Sequence, residues 1–267
     1  MSKYKLIASD FDDTLVPMSK VASARTIQAI HNFINGGGYF TISSGRMVRG
    51  LINNMGNIPV NAPIIAYGGG RIVDLTNGEI VFNLSIDNQT SLELLSVLIP
   101  RHQTIFVYID DLLYAEQDND ILKLYSQSNK IEYNLVYNLY DYVKNNNCVC
   151  NKVLIVEQPE QAKIAEQTYI ELFNGKLDVV RSSARSVEFA HPNAQKGIAV
   201  SWLADRLGIK QQEIICFGDS INDISMIKYA GLGVAVSNAM PQVKDIADLI
   251  CDSAEDDGVA KVIESIL

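Results

Sequence analysis

Cysteine, histidine and tryptophan are scarce in this sequence, and their scarcity excludes several kinds of protein. The 267 residues include four cysteines, three histidines and one tryptophan. So few and scattered cysteines do not make a disulfide framework, and we expect small buried side chains in a reducing compartment. The three histidines lack the spacing of metal ligands, so a histidine-based metal centre is not indicated.

Long apolar runs and an excess of positive charge are also missing. No stretch of about 18 apolar residues occurs, which argues against a membrane-spanning helix, and residues 1–4 lack the basic and apolar regions of a signal peptide. Lysine and arginine number 22 against 31 aspartate and glutamate residues, a formal net charge of −9 at pH 7. Such an acidic surface repels nucleic acid and anionic membranes. We therefore predict a cytoplasmic protein with no nucleic-acid or membrane partner.

Two acidic clusters, far apart in the chain, each follow a short apolar run. The run 4–9 leads into Asp10-Phe11-Asp12-Asp13-Thr14, and the run 214–217 leads into Gly218-Asp219-Ser220-Ile221-Asn222-Asp223. A strand that ends on a carboxylate, with a second acid two residues later, concentrates negative charge at one point. Carboxylates placed in this way could bind a divalent cation, which takes oxygen ligands. A cation bound there would in turn favour a reaction at the phosphorus of a phosphorylated substrate.

The order of apolar segments predicts the fold class. Apolar strands alternate with segments of helical spacing at both ends of the chain, which is typical of a parallel α/β sheet. The predicted strands cover 4–9, 39–43, 63–67, 213–217, 232–236 and 248–250, and the predicted helices cover 22–35, 47–55, 196–207, 221–229, 241–247 and 258–267.

The middle of the chain has a different composition. Roughly residues 84–187 are richer in Asn, Gln and Tyr and contain longer loops. Two strands there, 105–109 and 112–116, are separated only by Asp110-Asp111, which predicts an antiparallel hairpin. We predict an α+β module at 84–187, inserted into an α/β domain formed by 1–83 and 188–267.

Ligands of open α/β sheets bind at the carboxyl ends of the strands, so we expect the polar clusters to meet there. Mg2+ takes oxygen ligands, which Asp10, Asp219 and the backbone carbonyl of Asp12 could supply. Asp10 would then attack phosphorus, and Asp12 would protonate the leaving oxygen and deprotonate the attacking water. Ser44, Lys196 and backbone amides would bind the phosphoryl oxygens.

These residues resemble the four motifs of the haloacid dehalogenase-like phosphatases. The motif D-x-D-x-T is present as Asp10, Asp12 and Thr14, the Ser/Thr of motif two as Ser44, the Lys of motif three as Lys196, and G-D-x-x-N-D as Gly218, Asp219, Asn222 and Asp223. The inserted module is similar in position to the C2-type cap of the Cof-type subfamily. The resemblance implies a Rossmann-like parallel-sheet core with an α+β cap. It also implies a Mg2+-dependent phosphatase that hydrolyses small phosphorylated metabolites, such as sugar phosphates, through an aspartyl-phosphate intermediate.

The resemblance and the residue chemistry together give the predicted site. The predicted catalytic residues are Asp10 and Asp12; the phosphate- and substrate-binding residues are Thr14, Ser44, Gly45, Arg46, Lys196 and Asn222; and the metal-site residues are Asp10, Asp12, Asp219 and Asp223. Three roles have alternatives. Thr14 could fix the first acidic loop, Arg46 could form a structural salt bridge, and Asp223 could support the metal through water or Lys196.

The sequence departs from the family pattern at one place, and two alternatives to a phosphatase stay open. Many relatives carry an Asn-Gly pair after the third strand, where this chain has Gly68-Gly69-Gly70. The motifs do not separate a phosphatase from a phosphotransferase or phosphomutase on the same scaffold, and a non-catalytic sensor of a phosphorylated metabolite is a third hypothesis. We expect a monomer or weak homodimer.

Overall fold

A computed structural model describes residues 2–17, 21–102 and 104–267. The strands are β1 (Leu6–Ser9), β2 (Tyr39–Ile42), β3 (Ile64–Ala66), β4 (Arg71–Asp74), β5 (Glu79–Asn83), β6 (Ile105–Ile109), β7 (Leu112–Ala115), β8 (Tyr133–Leu135), β9 (Lys152–Val156), β10 (Asp178–Arg181), β11 (Ser186–Ala190), β12 (Ile214–Gly218), β13 (Leu232–Val236) and β14 (Leu249–Cys251). The α-helices are α1 (Ala24–Asn35), α2 (Val48–Met55), α3 (Asn88–Leu98), α4 (Asp120–Asn129), α5 (Leu139–Asn145), α6 (Pro159–Leu172), α7 (Lys196–Leu207), α8 (Ile224–Tyr229), α9 (Pro241–Lys244) and α10 (Gly258–Ile266). No helix among these residues is both long and apolar enough to cross a bilayer.

The chain divides into two compact units. The first, here called the core unit, comprises Met1–Arg46, Asn54–Asn83 and Gln195–Leu267; the second, the inserted unit, comprises Met47–Asn53 and Leu84–Ala194. The sequence-based boundary at 187 falls inside β11. That strand pairs with β9 and β10 along its length, so it stays with the inserted unit.

The core unit is built on a five-stranded parallel sheet with the order β14-β13-β12-β1-β2. Strand β1 lies between β12 and β2, and Ala8 pairs with Cys216 on one side and Thr41 on the other. All four residues of β1 are buried, because a parallel sheet covered on both faces needs continuously apolar strands. The prediction of a parallel α/β core with an additional α+β region is confirmed.

The third predicted strand behaves differently from the first two. Ile65 makes one parallel bridge to Ser43, but β3 pairs mainly with β4 in an antiparallel three-stranded sheet of order β3-β4-β5. The hairpin formed by β4 and β5 was not predicted. Its sequence signal is Asn77-Gly78, where Gly78 has φ +74°, since such a pair favours a tight turn between strands.

The inserted unit contains a six-stranded sheet with the order β10-β11-β9-β6-β7-β8. Its pairs are antiparallel except for the parallel pair β7–β8. The predicted hairpin is present as β6 and β7. Asp110 and Asp111 have φ +48° and +60°, the left-handed pair of values that a two-residue hairpin turn requires. The Asp111 carboxylate also accepts the backbone N–H groups of Val48 and Arg49, at 2.8 and 2.9 Å, and thereby caps α2.

Candidate active site

The predicted site residues follow the carboxyl ends of three neighbouring parallel strands. Asp10 follows β1, Ser44 follows β2 with one residue between, and Asp219 follows β12. The backbone N–H of Asp10 donates to the carbonyl of Phe217 at 2.9 Å, and that of Ser43 donates to Ser9 at 2.8 Å. These hydrogen bonds extend the sheet ladder to its edge, so the side chains that follow project from a rigid frame.

Three carboxylates meet at this edge. Oxygen atoms of Asp10, Asp219 and Asp223 all lie within 4.8 Å of one another. Burial raises the pKa of Asp10 well above its ordinary value; Lys196 opposes that shift, and the neighbouring carboxylates add to it. Burial likewise raises the pKa of Asp219 to about 6. Ionised together, the three carboxylates carry three negative charges against one ammonium. Hard oxygen donors with this excess of negative charge fit a divalent cation.

Lys196 places a positive charge beside two of these three carboxylates, Asp10 and Asp223. Its side chain is completely buried, and its Nζ donates to Oδ1 of Asp10 and to Oδ1 of Asp223, each at 2.5 Å. Burial by itself lowers the pKa of Lys196, but the two carboxylates outweigh it and hold that pKa above its ordinary value. Lys196 therefore stays a cation between the predicted nucleophile and the predicted metal site.

Asp223 is held by the chain through both oxygens. Oδ1 accepts from Lys196, and Oδ2 accepts the backbone N–H groups of Asp219 and Ser220, at 3.0 and 2.9 Å. A Cβ at Gly218 would lie 2.4 Å from the Cβ of Asp223, so glycine is required for this close turn. These contacts favour the alternative in which Asp223 supports the site through Lys196.

Two glycines position the start of the helix that carries Lys196. Gly69 has φ +106°, and a Cβ there would lie 2.3 Å from the carbonyl oxygen of Gln195. A Cβ at Gly197 would lie 2.4 Å from the carbonyl oxygen of Ser225. Backbone approaches this close exclude any side chain. Sequence reasoning noted Gly68-Gly69-Gly70 only as a departure, whereas the structure gives Gly69 a definite packing role.

Asp12 and Arg46 form a two-point ion pair. Arg46 Nε donates to Oδ2 of Asp12 at 2.7 Å, and an Nη donates to Oδ1 at 2.8 Å. The Arg46 guanidinium also lies 5.7 Å from the centre of the Phe11 ring. Of the two roles considered for Arg46, the salt bridge is the one present in the structure; binding of phosphate stays a prediction.

Thr14 and Asn238 hold the first acidic loop. The Thr14 hydroxyl donates to Oδ1 of Asp219 at 2.6 Å, which joins the first acidic cluster to the second. The side-chain amide of Asn238 donates to the carbonyl of Asp13 at 2.8 Å, where Asp13 has φ +58°. Sequence analysis gave Asn238 no role.

The second motif lies beside the fourth. The backbone N–H of Ser44 donates to Ile65 at 2.9 Å, and the carbonyl of Ser44 accepts from Gly68 at 3.0 Å. A Cβ at Gly45 would lie 3.8 Å from the side-chain nitrogen of Asn222. Ser44 is buried, whereas Asn222 is exposed. The structure thus brings Ser44, Gly45 and Asn222 to the same edge of the sheet.

Known proteins are similar to this chain in sequence or in fold over nearly its whole length. A family model described as haloacid dehalogenase-like hydrolase matches residues 7–263. YxeH of Bacillus subtilis, which carries a provisional phosphatase name, is 31% identical over 271 residues, covering 99% of this chain and 98% of its own. The 5-amino-6-(5-phospho-D-ribitylamino)uracil phosphatase YitU of the same organism is 27% identical over 270 residues, covering 98% and 97%. The crystal structure of a haloacid dehalogenase-like hydrolase from Bacteroides thetaiotaomicron is 28% identical with a TM-score of 0.86, covering 99% of this chain and 100% of that one.

Proposed function

Because the chain belongs to the haloacid dehalogenase-like hydrolase family, we propose that it is a Mg2+-dependent phosphatase of small phosphorylated metabolites, working through an aspartyl-phosphate intermediate. One observation carries the proposal. A buried ammonium, Lys196, joins Asp10 to Asp223, and Asp219 lies beside them. A structural salt bridge needs one carboxylate, whereas this cluster has three and leaves a net negative charge that a divalent cation would balance.

The residues that would hold Mg2+ are Asp10 and Asp219 through carboxylate oxygens and Asp12 through its backbone carbonyl. Asp223 would act through Lys196. The bound cation would screen the negative phosphoryl group from the attacking carboxylate and polarise its oxygens. The donor set fits this cation, since Mg2+ prefers carboxylates and water.

The chain's own residues would carry the two chemical steps. The Asp10 carboxylate attacks phosphorus, the bond to the leaving oxygen breaks, and Asp12 gives that oxygen a proton. Water then attacks the aspartyl-phosphate, Asp12 takes a proton from it, and the Asp10 carboxylate is restored. Lys196, Ser44 and the backbone amides near Gly45 would bind phosphoryl oxygens, because donors fixed before the reaction stabilise charge in the transition state.

The substrate class is inferred from chemistry and from a relative. The name of YitU includes a 5-phospho-D-ribityl group, which is a phosphorylated polyol chain. We therefore propose sugar phosphates or similar phosphorylated polyols as substrates of this protein. Cytoplasmic location and a monomeric or weakly dimeric state stay predictions.

The test is phosphate release from a panel of hexose, pentose and polyol phosphates, with Mg2+ and with EDTA. We expect turnover that EDTA abolishes, and D10N to reduce kcat by at least about 10³-fold because the nucleophile is lost. D13N is the matched control, since Asp13 is exposed and Asn tolerates its positive φ; it should keep its activity. Unchanged turnover by D10N would refute the assigned nucleophile. Isomerised sugar phosphate without free phosphate would indicate a mutase, and tight binding without turnover a sensor.

A further inference from the structure

The pair formed by Asp12 and Arg46 has the geometry of a positioning device. Nε and one Nη of Arg46 each meet a different oxygen of Asp12, at 2.7 and 2.8 Å. Two parallel hydrogen bonds from a planar guanidinium fix both the place and the plane of the carboxylate, which a single contact does not. No other described side chain hydrogen-bonds to Asp12.

Arg46 is more deeply buried than Asp12 and has further contacts of its own. The Arg46 side chain is 13% exposed, whereas that of Asp12 is 46% exposed. The backbone N–H of Arg46 donates to the Ser44 hydroxyl at 3.2 Å, and its carbonyl accepts from Tyr67 at 2.9 Å. The Phe11 ring covers the guanidinium. The half-exposed carboxylate of Asp12 thus takes its orientation from a nearly buried partner.

We propose that Arg46 is a positioning residue that aims the Asp12 carboxylate at the water that hydrolyses the aspartyl-phosphate. The inference rests on the proposed function and names the step in which Arg46 acts. The guanidinium contacts both oxygens of Asp12 and so fixes the direction in which that carboxylate can meet the water. In that step the water oxygen bonds to phosphorus, its proton passes to Asp12, and the bond from phosphorus to Asp10 breaks with its electrons returning to the Asp10 carboxylate.

This role differs from phosphate binding in what it predicts for the kinetics. Nε and one Nη of Arg46 both donate to Asp12, so Arg46 would have to break these hydrogen bonds before the same two groups could bind a phosphoryl group. A phosphate-binding arginine affects the first step, so its loss lowers kcat/KM. A residue that aims the base for the second step affects kcat, and its loss lets the aspartyl-phosphate accumulate.

The experiment uses 4-nitrophenyl phosphate, whose leaving group departs without help from an acid and so isolates the second step. R46K keeps the positive charge but loses the planar guanidinium that makes two parallel hydrogen bonds to Asp12. We expect R46K to lower kcat by about 10–100-fold, the scale of a misplaced catalytic group, and kcat/KM by less than about threefold. Rapid mixing should show a burst of nitrophenolate equal to the enzyme, and acid quench should trap phosphorylated Asp10.

The matched control is R25K. Arg25 and Glu264 form the same two-point pair on the surface of the core unit, at 2.9 and 2.6 Å. This variant should behave as wild type. A second variant, R46Q, removes the charge as well and should show the same burst, and both Arg46 variants are compared with wild type by thermal unfolding.

A double-mutant cycle with D12N completes the test. If Arg46 acts through Asp12, adding R46K to D12N lowers kcat no further, because residues that act as a unit are not additive. An additive loss, or a fall in kcat/KM as large as that in kcat, would overturn the inference. An equal fall in kcat and kcat/KM together with a lower Tm would show that Arg46 has a structural role, and would also overturn the inference. If wild type releases no phosphate, or no variant ever yields a phosphorylated aspartate, the proposed function itself fails.

Discussion

Replacing Lys196 with methionine would remove the charge that the buried carboxylates share while keeping a side chain of similar length. The Nζ of Lys196 lies 2.5 Å from both Asp10 and Asp223, and its side chain has no exposed surface. Leaving a buried charge unpaired costs about 3–5 kcal/mol of unfolding free energy. Asp223 keeps two backbone donors, so the penalty arises mainly at Asp10. We therefore expect a loss of about 3 kcal/mol, near the lower end of that range.

The assay follows from the position of the single tryptophan. Trp202 lies in α7, the helix that begins at Lys196, within the core unit. Urea unfolding in EDTA, followed by Trp202 fluorescence, therefore reports on the core unit. The matched control is K261M, because Lys261 pairs with Asp252 at 2.6 Å while both side chains are about half exposed. Such a surface pair contributes about 0.2–1 kcal/mol.

The result that would refute this reasoning is a K196M protein that loses no more stability than K261M. A second comparison adds Mg2+ to wild type and K196M. A bound cation would replace the missing positive charge, so Mg2+ should raise the urea midpoint of K196M more than that of wild type. An equal rise in both proteins would contradict the idea that Lys196 and a metal balance the same carboxylates.

Three further predictions test the packing around the site and the inserted unit. G197A should lower the unfolding free energy by about 1–3 kcal/mol, as measured by urea unfolding, because the added methyl group would overlap the Ser225 carbonyl. The control is G50A, where the atoms nearest to the added methyl group would be side-chain atoms at 3.3 and 3.4 Å, and it should not lower that free energy. Equal effects of the two substitutions would contradict the proposed overlap at Gly197. T14V should raise the Mg2+ concentration needed for half-maximal activity, because Asp219 loses the hydroxyl that orients it; an unchanged requirement would count against that link. D111G keeps the positive φ but loses the cap of α2, and should cost about 1 kcal/mol in thermal unfolding, so full stability would contradict the capping role.

Much of the core was predictable because its signals are local. Leu6, Ile7 and Ala8 are apolar, and Ser9 and Asp10 follow them, which predicts a buried parallel strand with a carboxylate at its tip. The hairpin around Asp110-Asp111 was predictable for the same reason, since short turns depend on neighbouring residues. β3 was predicted less well. Its apolar residues show that it is buried, but its antiparallel pairing with β4 depends on the tight connection at Tyr67–Gly69, which the prediction did not use.

The partners of the site residues could not be predicted in this way. The sequence named Asp10, Asp12, Thr14, Lys196 and Asp219 as site residues, but it did not say which of them touch. Arg46 had two equal roles on sequence grounds, and Gly69 had none. The contacts that the structure gives them, Arg46 with Asp12 and Gly69 with Gln195, depend on distances that the chain order does not encode.

The sequence by itself determined the strands of the parallel sheet, the order of the motifs and the chemical types gathered at one edge of that sheet, because each depends on residues next to one another. The tertiary structure alone decided the pairings. Arg46 meets Asp12 across 34 residues, Lys196 meets Asp10 across 186, and Thr14 meets Asp219 across 205. A hydrogen bond requires its two atoms to lie within a few tenths of an ångström of one distance. Only the packed sheet, with its glycine contacts at α7, sets positions that finely across so much chain.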